Sequence, residues 1–410
     1  MIDASLLQEY AELLVRTGMN LQEGQPLVVA CQVENAPFAR MVATEAYKLG
    51  CREVIMRWSD DFLTREKYLK AADAVFDETP AWLVEFFEEY DRHHAAYLAL
   101  ISPDPENLSG VDPMRLQRAA ISSGKATRAH SKRQMSDEIP WCVAGVPSVK
   151  WAKKVFPDLS EEEAVDALWQ AILKTVRVDG IHSAADAWEE HIKKLSSVAE
   201  KLNGYQFEKL HYENSLGTDL MVGLCKNHRW EGGCSKDGNG VRFVANMPTE
   251  EIFTSPKKDA VDGVVYASMP LCHHGSLIEE LKFVLKAGKI VEATAKSGEE
   301  VLKKAITVDE GASYLGEAAL VPYDSPISNL GILFYNTLYD ENAACHFAFG
   351  QAYPCLQNAS SMSEEEQREA GLNESDTHVD FMIGTKDLSV TGILPDGTRI
   401  PVMRDGNFVI

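Results

Sequence analysis

The first half of the chain alternates between apolar residues at helical spacing and short, continuous apolar runs. Apolar side chains between residues 6 and 14 recur every three or four positions, which predicts an amphipathic helix. The valine-rich run PLVVAC predicts a buried strand, and residues 37–49 predict a helix that ends before Gly50. CREVIMRW, AAYLALI and WCVAGVP predict three more strands. Buried strands separated by helices indicate β-α-β units and a mainly parallel sheet.

The pattern changes after a helical region in the middle of the chain. Ser160 is followed by three glutamates, a strong helix start, and residues 159–202 predict two long polar helices. Beyond Gly204, runs such as LKAGKIVEATA and GILPDGTRIPVMRDGNFVI are typical of hairpins, interrupted by a helix over residues 297–306. We therefore expect an α/β domain with a mainly parallel sheet over residues 1–195. An α+β, mostly antiparallel β domain should follow over residues 204–410.

Length and charge limit the classes of protein to consider. A chain of 410 residues exceeds one ordinary core, which agrees with two domains. The formal charge of −22 is spread along the chain, which argues against nucleic acid and against an anionic membrane surface as partners. Most of this acidity serves solubility, and a smaller part favours cations or amines near the protein.

The sequence also predicts a cytoplasmic location. The N-terminus lacks a basic segment followed by an apolar one, and no apolar run reaches membrane-spanning length. The eight cysteines are scattered without a CxxC pair, which is typical of reduced, packed thiols and argues against a zinc ribbon.

Four stretches in the last third combine acidic, imidazole and phenol side chains with apolar residues and turn formers: MPTEE, YLGEAALVPYDSPIS, CHFAFGQAYP and HVDFMIG. Carboxylates and imidazoles are ligands that divalent ions prefer, and buried ionisable groups need a partner or a metal. The candidate ligands are Glu250, Glu317, His346, Tyr353, His378 and Asp380.

Each candidate also has an ordinary structural interpretation. His378 and Asp380 are separated by one residue, so on a strand they share a face. There they could bind the same ion or two adjacent ions, or they could be a surface pair at a strand edge. Glu317 could be a glutamate on a helix surface, His346 a core histidine, and Tyr353 a packing residue. Adjacent glutamates such as those of MPTEE are commonly a solvated pair or the first turn of a helix.

Other catalytic motifs are absent from the sequence. There is no HExxH zinc motif and no GxSxG nucleophile elbow. The pair at residues 273 and 274 could lie beside a metal, but we interpret these two histidines as part of a loop.

The candidate stretches together resemble the thermophilic aminopeptidase T and aminopeptidase S family of two-metal aminopeptidases. The resemblance rests on NMPTEEIFTSP, YLGEAALVPYDSPISNLGILFYNTLYDENAACHFAFGQAYP and HVDFMIGTKDL, and it extends to YAELLVRTGMNLQEGQPLVV, WAKKVFPDLS and AWEEHI in the first half. It therefore covers nearly the whole chain.

The resemblance implies an enzyme that removes N-terminal residues from peptides with a free N-terminus. It implies two divalent metal ions, zinc or cobalt first, with magnesium or manganese as alternatives. It also implies a homodimer with the site in an inner chamber, so the first domain is expected to act as a lid or dimerisation element. The family's metal-site motif maps onto five positions, and Tyr353 maps onto its catalytic residue or outer ligand. The five positions are Glu250, Glu317, His346, His378 and Asp380.

Several roles stay open at this level. Two ions can share a water whose pKa they lower, and either Glu317 or Asp380 could bridge them. Tyr353 could donate a hydrogen bond to the developing oxyanion. Glu250, Glu317 or Glu251 could act as the general base, and we expect Tyr353 and Glu317 to be the catalytic residues. The alternative functions are a two-metal amidase acting on non-peptide substrates and a metal-stabilised binding or scaffold protein.

Overall fold

A computed structural model describes residues 2–102, 104–273 and 276–410 of the chain. The chain divides into two compact units, and neither is a single continuous segment. The first comprises Met1–His191 and Cys234–Pro248, and the second comprises Ile192–Gly233 and Thr249–Ile410.

The helices of the described residues are as follows, in chain order: α1 (Ala4–Leu13), α2 (Ala36–Lys48), α3 (Asp61–Lys70), α4 (Ala81–Arg92), α5 (Pro113–Ala126), α6 (Arg128–Met135), α7 (Val149–Val155), α8 (Glu161–Thr175), α9 (Ala184–Tyr205), α10 (Glu299–Ala305), α11 (Thr337–Glu341) and α12 (Glu364–Glu369). None of them is both long enough and apolar enough to span a membrane.

The strands of the described residues are as follows, in chain order: β1 (Leu27–Gln32), β2 (Val54–Ser59), β3 (Ala96–Ile101), β4 (Trp141–Gly145), β5 (Lys209–Glu213), β6 (Asp219–Leu224), β7 (Glu231–Gly232), β8 (Ser235–Lys236), β9 (Arg242–Phe243), β10 (Asn246–Met247), β11 (Ile252–Thr254), β12 (Pro256–Tyr266), β13 (Leu271–His273), β14 (Ser276–Ile278), β15 (Lys282–Lys286), β16 (Lys289–Thr294), β17 (Leu315–Leu320), β18 (His346–Gly350), β19 (His378–Met382), β20 (Ser389–Ile393), β21 (Arg399–Arg404) and β22 (Asn407–Phe408).

The first unit contains a five-stranded sheet in the order β10-β4-β3-β1-β2, and all its neighbouring strands are parallel. Strands β1 to β4 lie in the four apolar runs that predict them, and α2 lies in the predicted helix. Helix α8 begins after Ser160, whose side chain accepts the N–H of Glu163 in a capping box. The sequence therefore predicts the parallel part of the fold from its buried strands.

The fifth strand of this sheet is the part that the sequence does not predict. Strand β10 has only two residues, and it pairs with β4 although about a hundred residues separate them in the chain. Cys234–Pro248 consequently belongs to the first unit, whereas the sequence assigns it to a continuous second domain over residues 204–410. A two-residue strand carries no alternation by which it could be recognised.

The second unit contains two antiparallel sheets. The larger has eight strands in the order β16-β15-β12-β6-β5-β20-β21-β22, and the smaller has five in the order β19-β18-β17-β11-β7. One apolar core joins residues of both sheets: Phe283 of the larger lies 5.9 Å from Phe349 and 5.2 Å from Phe381 of the smaller, between ring centroids. His273 ends β13, which pairs antiparallel with β14 in a separate two-stranded sheet, and residue 274 lies outside the described residues.

Candidate metal centre

The five-stranded sheet of the second unit has one apolar face and one face that carries ionisable side chains. In β18, Phe347 and Phe349 belong to the apolar core, and His346 alternates with them. In β19, Val379 and Phe381 belong to the same core, so His378 and Asp380 face the opposite side. The alternation of a strand thus puts aromatic rings behind the sheet and candidate ligands in front of it.

The register of three strands brings the ligands together. Glu317 of β17 pairs with Ala348 of β18, and Ala348 in turn pairs with Asp380 of β19. The two carboxylates therefore flank a small side chain on one face. His346 lies two residues before Ala348 on that same face, and His378 lies two residues before Asp380.

Two overlapping groups of possible ligand atoms result. Glu251, Glu317 and His346 form one group, and Glu317, His378 and Asp380 form the other, with all atoms of a group within 4.8 Å of one another. His346 Nε2 lies 3.2 Å from Glu251 Oε2. His378 Nε2 lies 3.1 Å from Glu317 Oε2 and 3.3 Å from Asp380 Oδ1. Glu317 is common to both groups.

These separations suit a metal ion. A tetrahedral zinc ion with bonds of about 2.0–2.1 Å holds its ligand atoms roughly 3.3 Å apart, close to the three distances between imidazole nitrogen and carboxylate oxygen given above. Three carboxylates and two imidazoles in mostly buried positions are also the donor set that zinc, cobalt and similar ions accept.

Both imidazoles are oriented by main-chain carbonyls. His346 Nδ1 lies 2.9 Å from the carbonyl oxygen of Glu341 and 3.1 Å from that of Ala344. His378 Nδ1 lies 2.7 Å from the carbonyl oxygen of Gln351. A carbonyl oxygen can only accept a hydrogen bond, so each ring carries a proton on Nδ1 and turns Nε2 towards the carboxylates. This is the usual outer-shell arrangement of a metal-binding histidine.

The structure places Glu251, rather than its neighbour Glu250, in the cluster. Ile252 belongs to the apolar core, so the preceding and following residues of the extended segment face the other way. Phe253 accordingly packs against the Tyr353 ring at 5.3 Å, and Glu251 meets His346. Glu250 is buried but belongs to neither group, and its main-chain N–H donates to Asn342 Oδ1.

Two further side chains border the cluster. The ring of Tyr353 lies 5.2 Å from that of His378, nearly perpendicular to it, and the main-chain carbonyl of Tyr353 accepts the Ser255 hydroxyl. Glu341, at the end of α11, is close enough for the charges of Asp380 and Glu251 to act on its carboxyl group. Sequence reasoning did not single out Glu341, although it lies five residues before His346.

Crowded carboxylates and burial shift the pKa values of these groups. Burial would lower the pKa of His346, but the Glu251 hydrogen bond and the surrounding negative charges outweigh it and raise that pKa to about 10. Burial likewise opposes protonation of His378, yet Asp380 and Glu317 raise its pKa well above the ordinary value. Burial raises the pKa of Glu317, although the hydrogen bond and charge of His378 oppose it. Burial, followed by the charges of Asp380 and Glu251, raises the pKa of Glu341 well above its ordinary value.

The pKa values of Tyr353 and Asp380 move in opposite directions. Burial, followed by the charges of nearby carboxylates, raises the pKa of Tyr353 well above its ordinary value, so its phenol keeps the proton. Burial would raise the pKa of Asp380, but His378 beside it lowers that pKa overall. The raised pKa values of both histidines, Glu317 and Glu341 mean that protons offset the carboxylate charge of this buried site, and a bound cation would offset it in their place.

A family model described as thermophilic metalloprotease (M29) matches residues 3–408, almost the whole chain. The chain belongs to this family. The resemblance inferred from the sequence motifs is therefore confirmed, and divalent metal ions are implied by the family's description.

Curated and solved relatives agree with the family match. Aminopeptidase AmpS of Bacillus subtilis is 43% identical over 403 residues, covering 98% of each chain. Aminopeptidase T of Thermus aquaticus is 43% identical over 405 residues, again covering 98% of each chain. The solved structure of wild-type AmpT from Thermus thermophilus superimposes with a TM-score of 0.91 at 39% identity, covering 99% of each chain.

Proposed function

We propose that the protein is a metal-dependent aminopeptidase that removes N-terminal residues from peptides by means of two divalent ions. The observation that carries the proposal is the sharing of Glu317 by two groups of ligand atoms on one face of a sheet. Family membership and the aminopeptidase names of the full-length relatives give the class of reaction. The amidase alternative, with non-peptide substrates, is not favoured by these relatives.

The proposed ligands divide between two cation positions. Glu251 and His346 would hold one ion, His378 and Asp380 would hold the other, and Glu317, which belongs to both groups, would contribute to both positions. The distances around both histidines and their anchored Nδ1 atoms support this assignment. Glu250, which the sequence predicts as a ligand, is not among the proposed ligands, because it belongs to neither group. Zinc or cobalt suits the mixed imidazole and carboxylate donors best, and magnesium or manganese suits them less.

The chain's own groups have separate tasks in the reaction. When bound, divalent ions would supply polarisation of the scissile carbonyl and a lowered pKa for the attacking water. The Tyr353 phenol, which keeps its proton, would donate a hydrogen bond to the oxygen on which negative charge develops. Glu341, in neither ligand group but beside both, would accept the proton of the water and return it to the leaving amine.

An activity measurement with matched substrates tests the function. Chelator-stripped protein should be inactive on amino-acid p-nitroanilides and dipeptides, and zinc or cobalt should restore cleavage. The N-acetylated form of each substrate is the control, and it should resist cleavage because the free α-amine is missing. Full activity of the stripped protein would contradict the metal requirement, and equal cleavage of acetylated substrates would contradict the exopeptidase assignment.

The Glu341 assignment has its own test. Glu341→Gln should retain two bound ions but lose most of its turnover, and its pH–rate profile should lose one limb. If Glu341→Gln lost tight metal binding together with activity, Glu341 would be a metal ligand instead of the general base.

Assembly and location also remain proposals. A homodimer is supported by large apolar side chains exposed on the first unit, including Phe62 at 70% and Trp82 at 65% exposure, since such side chains are enriched in interaction surfaces. We keep the first unit as the lid or dimerisation element. A cytoplasmic location is supported by the cysteines, all eight of which lie in the described residues without a disulfide. Sedimentation of the purified protein tests the dimer.

A further inference from the structure

The side-chain amide of Asn342 joins two segments of main chain by hydrogen bonds, an arrangement that we call a clasp. Its side chain is fully buried directly after α11. Its Oδ1 accepts the main-chain N–H of Glu250 at 2.8 Å. Its Nδ2 donates to the carbonyl oxygen of Leu338 at 2.9 Å and, more weakly, to Glu341 Oε1 at 3.4 Å. Both ends of the amide are therefore used. A flipped amide would set donor against donor at the Glu250 N–H and acceptor against acceptor at the Leu338 carbonyl.

This clasp connects the two chain segments that form one cation position. On one side it holds Glu250, and the next residue is Glu251, whose carboxylate lies 3.2 Å from His346 Nε2. On the other side, Asn342 directly follows Glu341 in the chain, and the carbonyl oxygen of Glu341 accepts His346 Nδ1–H at 2.9 Å. The segments of Glu250 and Asn342 are 92 residues apart in the chain, and this amide fixes their main chains to each other.

The other cation position has a different support. His378 and Asp380 share one strand, and His378 Nδ1 is anchored on the carbonyl oxygen of Gln351. No hydrogen bond of Asn342 in the described part of the chain reaches either residue.

We propose that Asn342 is a positioning residue for the cation position formed by Glu251, Glu317 and His346, and that it sets the affinity of that position alone. The inference rests on the proposed two-ion site. Removing an outer-shell partner of a metal ligand weakens metal binding by roughly 10–100-fold. A change at Asn342 should therefore weaken the binding of one of two equivalents of metal ion and leave the affinity for the other unchanged.

The decisive variant is Asn342→Asp. It has nearly the same shape and can still accept the Glu250 N–H, but it cannot donate to the Leu338 carbonyl. It also places a negative charge beside Glu341. Asn342→Ala introduces no charge and serves as the second variant if the aspartate variant does not fold.

Asn203→Asp is the matched control. Asn203 also clasps main chain with both ends of its amide, accepting the N–H of Trp230 at 2.8 Å and donating to its carbonyl oxygen at 2.9 Å. Apart from those within α9, its hydrogen bonds within the described residues go to Trp230 and Gln206 and to no proposed ligand, so it reports what losing a structural clasp in the same unit does to metal binding.

The experiment is a Co²⁺ titration of metal-stripped full-length protein, followed by absorption and by equilibrium dialysis. The wild type and Asn203→Asp should bind two equivalents with unchanged affinities. Asn342→Asp should bind one equivalent normally and the other about 10–100-fold more weakly. Adding Asn342→Asp to Glu251→Gln should weaken the binding of the affected Co²⁺ equivalent no further, because both changes act on one position.

Unchanged affinities in Asn342→Asp, or an equal loss at both positions, would overturn the inference while leaving the two-ion proposal intact. Wild-type protein that binds no Co²⁺ would overturn the proposed function itself, and with it this inference.

Discussion

The choice between Glu251 and Glu250 gives the sharpest mutational test of the site. Glu251→Gln removes one negative charge and keeps the shape of the side chain. Glu250→Gln makes the identical change one residue earlier, where the carboxylate belongs to neither ligand group. The two variants differ only in which face of the extended segment loses its charge, so each controls for the other.

The expected change in the His346 pKa follows from the distance of 3.2 Å between Glu251 Oε2 and His346 Nε2. Two unit charges at that separation interact by about 5 kcal/mol at an effective dielectric constant of about 20. This corresponds to about three to four pKa units. It agrees with a His346 pKa raised to about 10 although burial opposes the charged form. In metal-free Glu251→Gln, we therefore expect the His346 pKa to fall by about three units.

The assay is an NMR titration of the histidine ring signals in metal-free protein, with His346 assigned by His346→Gln. Glu250→Gln should leave the His346 pKa near its wild-type value. A His346 pKa that falls in Glu250→Gln and not in Glu251→Gln would refute the strand alternation on which the ligand assignment rests.

The remaining predictions concern the phenol, the proton balance and the core. Tyr353→Phe should lower kcat by about 10²–10³-fold, measured on an amino-acid p-nitroanilide, because one donor to the oxyanion is lost; unchanged turnover would exclude that role. A His346 pKa raised to about 10 means that protonated His346 stabilises the metal-free fold fully below about pH 6.5 and that this stability is lost as the pH rises through about 10. Metal binding must displace that proton, so affinity for Zn²⁺ should rise from pH 6 to 9 by about tenfold per unit for each proton released, and a flat profile in calorimetry would contradict the shift. Phe347→Ala should destabilise the metal-free protein by about 3–5 kcal/mol in urea unfolding, because Phe347 is fully buried behind the sheet, and a loss below about 1 kcal/mol would contradict its place in the core.

The local signals of the sequence predict much of this fold because they report burial. Runs such as PLVVAC and AAYLALI are apolar because β1 and β3 are covered on both faces, and continuous apolar runs of that length predict buried strands. The one-residue spacing of His378 and Asp380 predicts a shared strand face, and both residues lie on β19.

Long-range pairing is what local patterns do not contain. Strand β10 forms only because β4 offers an open edge, and nothing within two residues shows this. Glu317 was as consistent with a helix surface as with a site, yet it lies in a fully buried strand, because the register with Ala348 and Asp380 is set between strands.

The sequence predicts Glu250 as a ligand, whereas the cluster contains Glu251, because the pattern of apolar residues leaves the facing of this segment uncertain by one residue. In a strand, a shift of one position moves a side chain to the other face. The sequence does not decide between the two faces, because Ile252 and Phe253 are both apolar, and the structure shows that Ile252 lies in the core. Glu341 had no local signal, since it ends a short helix and meets the cluster only through the fold.

The most direct test of the two-ion site is anomalous diffraction at the zinc edge from crystals of the zinc-loaded protein. We expect two peaks in front of the five-stranded sheet of the second unit, with Glu317 contacting both. Glu251 and His346 should lie at one peak, and His378 and Asp380 at the other. A single peak, no peak, or peaks that the Glu317 carboxylate does not touch would contradict the two-ion site.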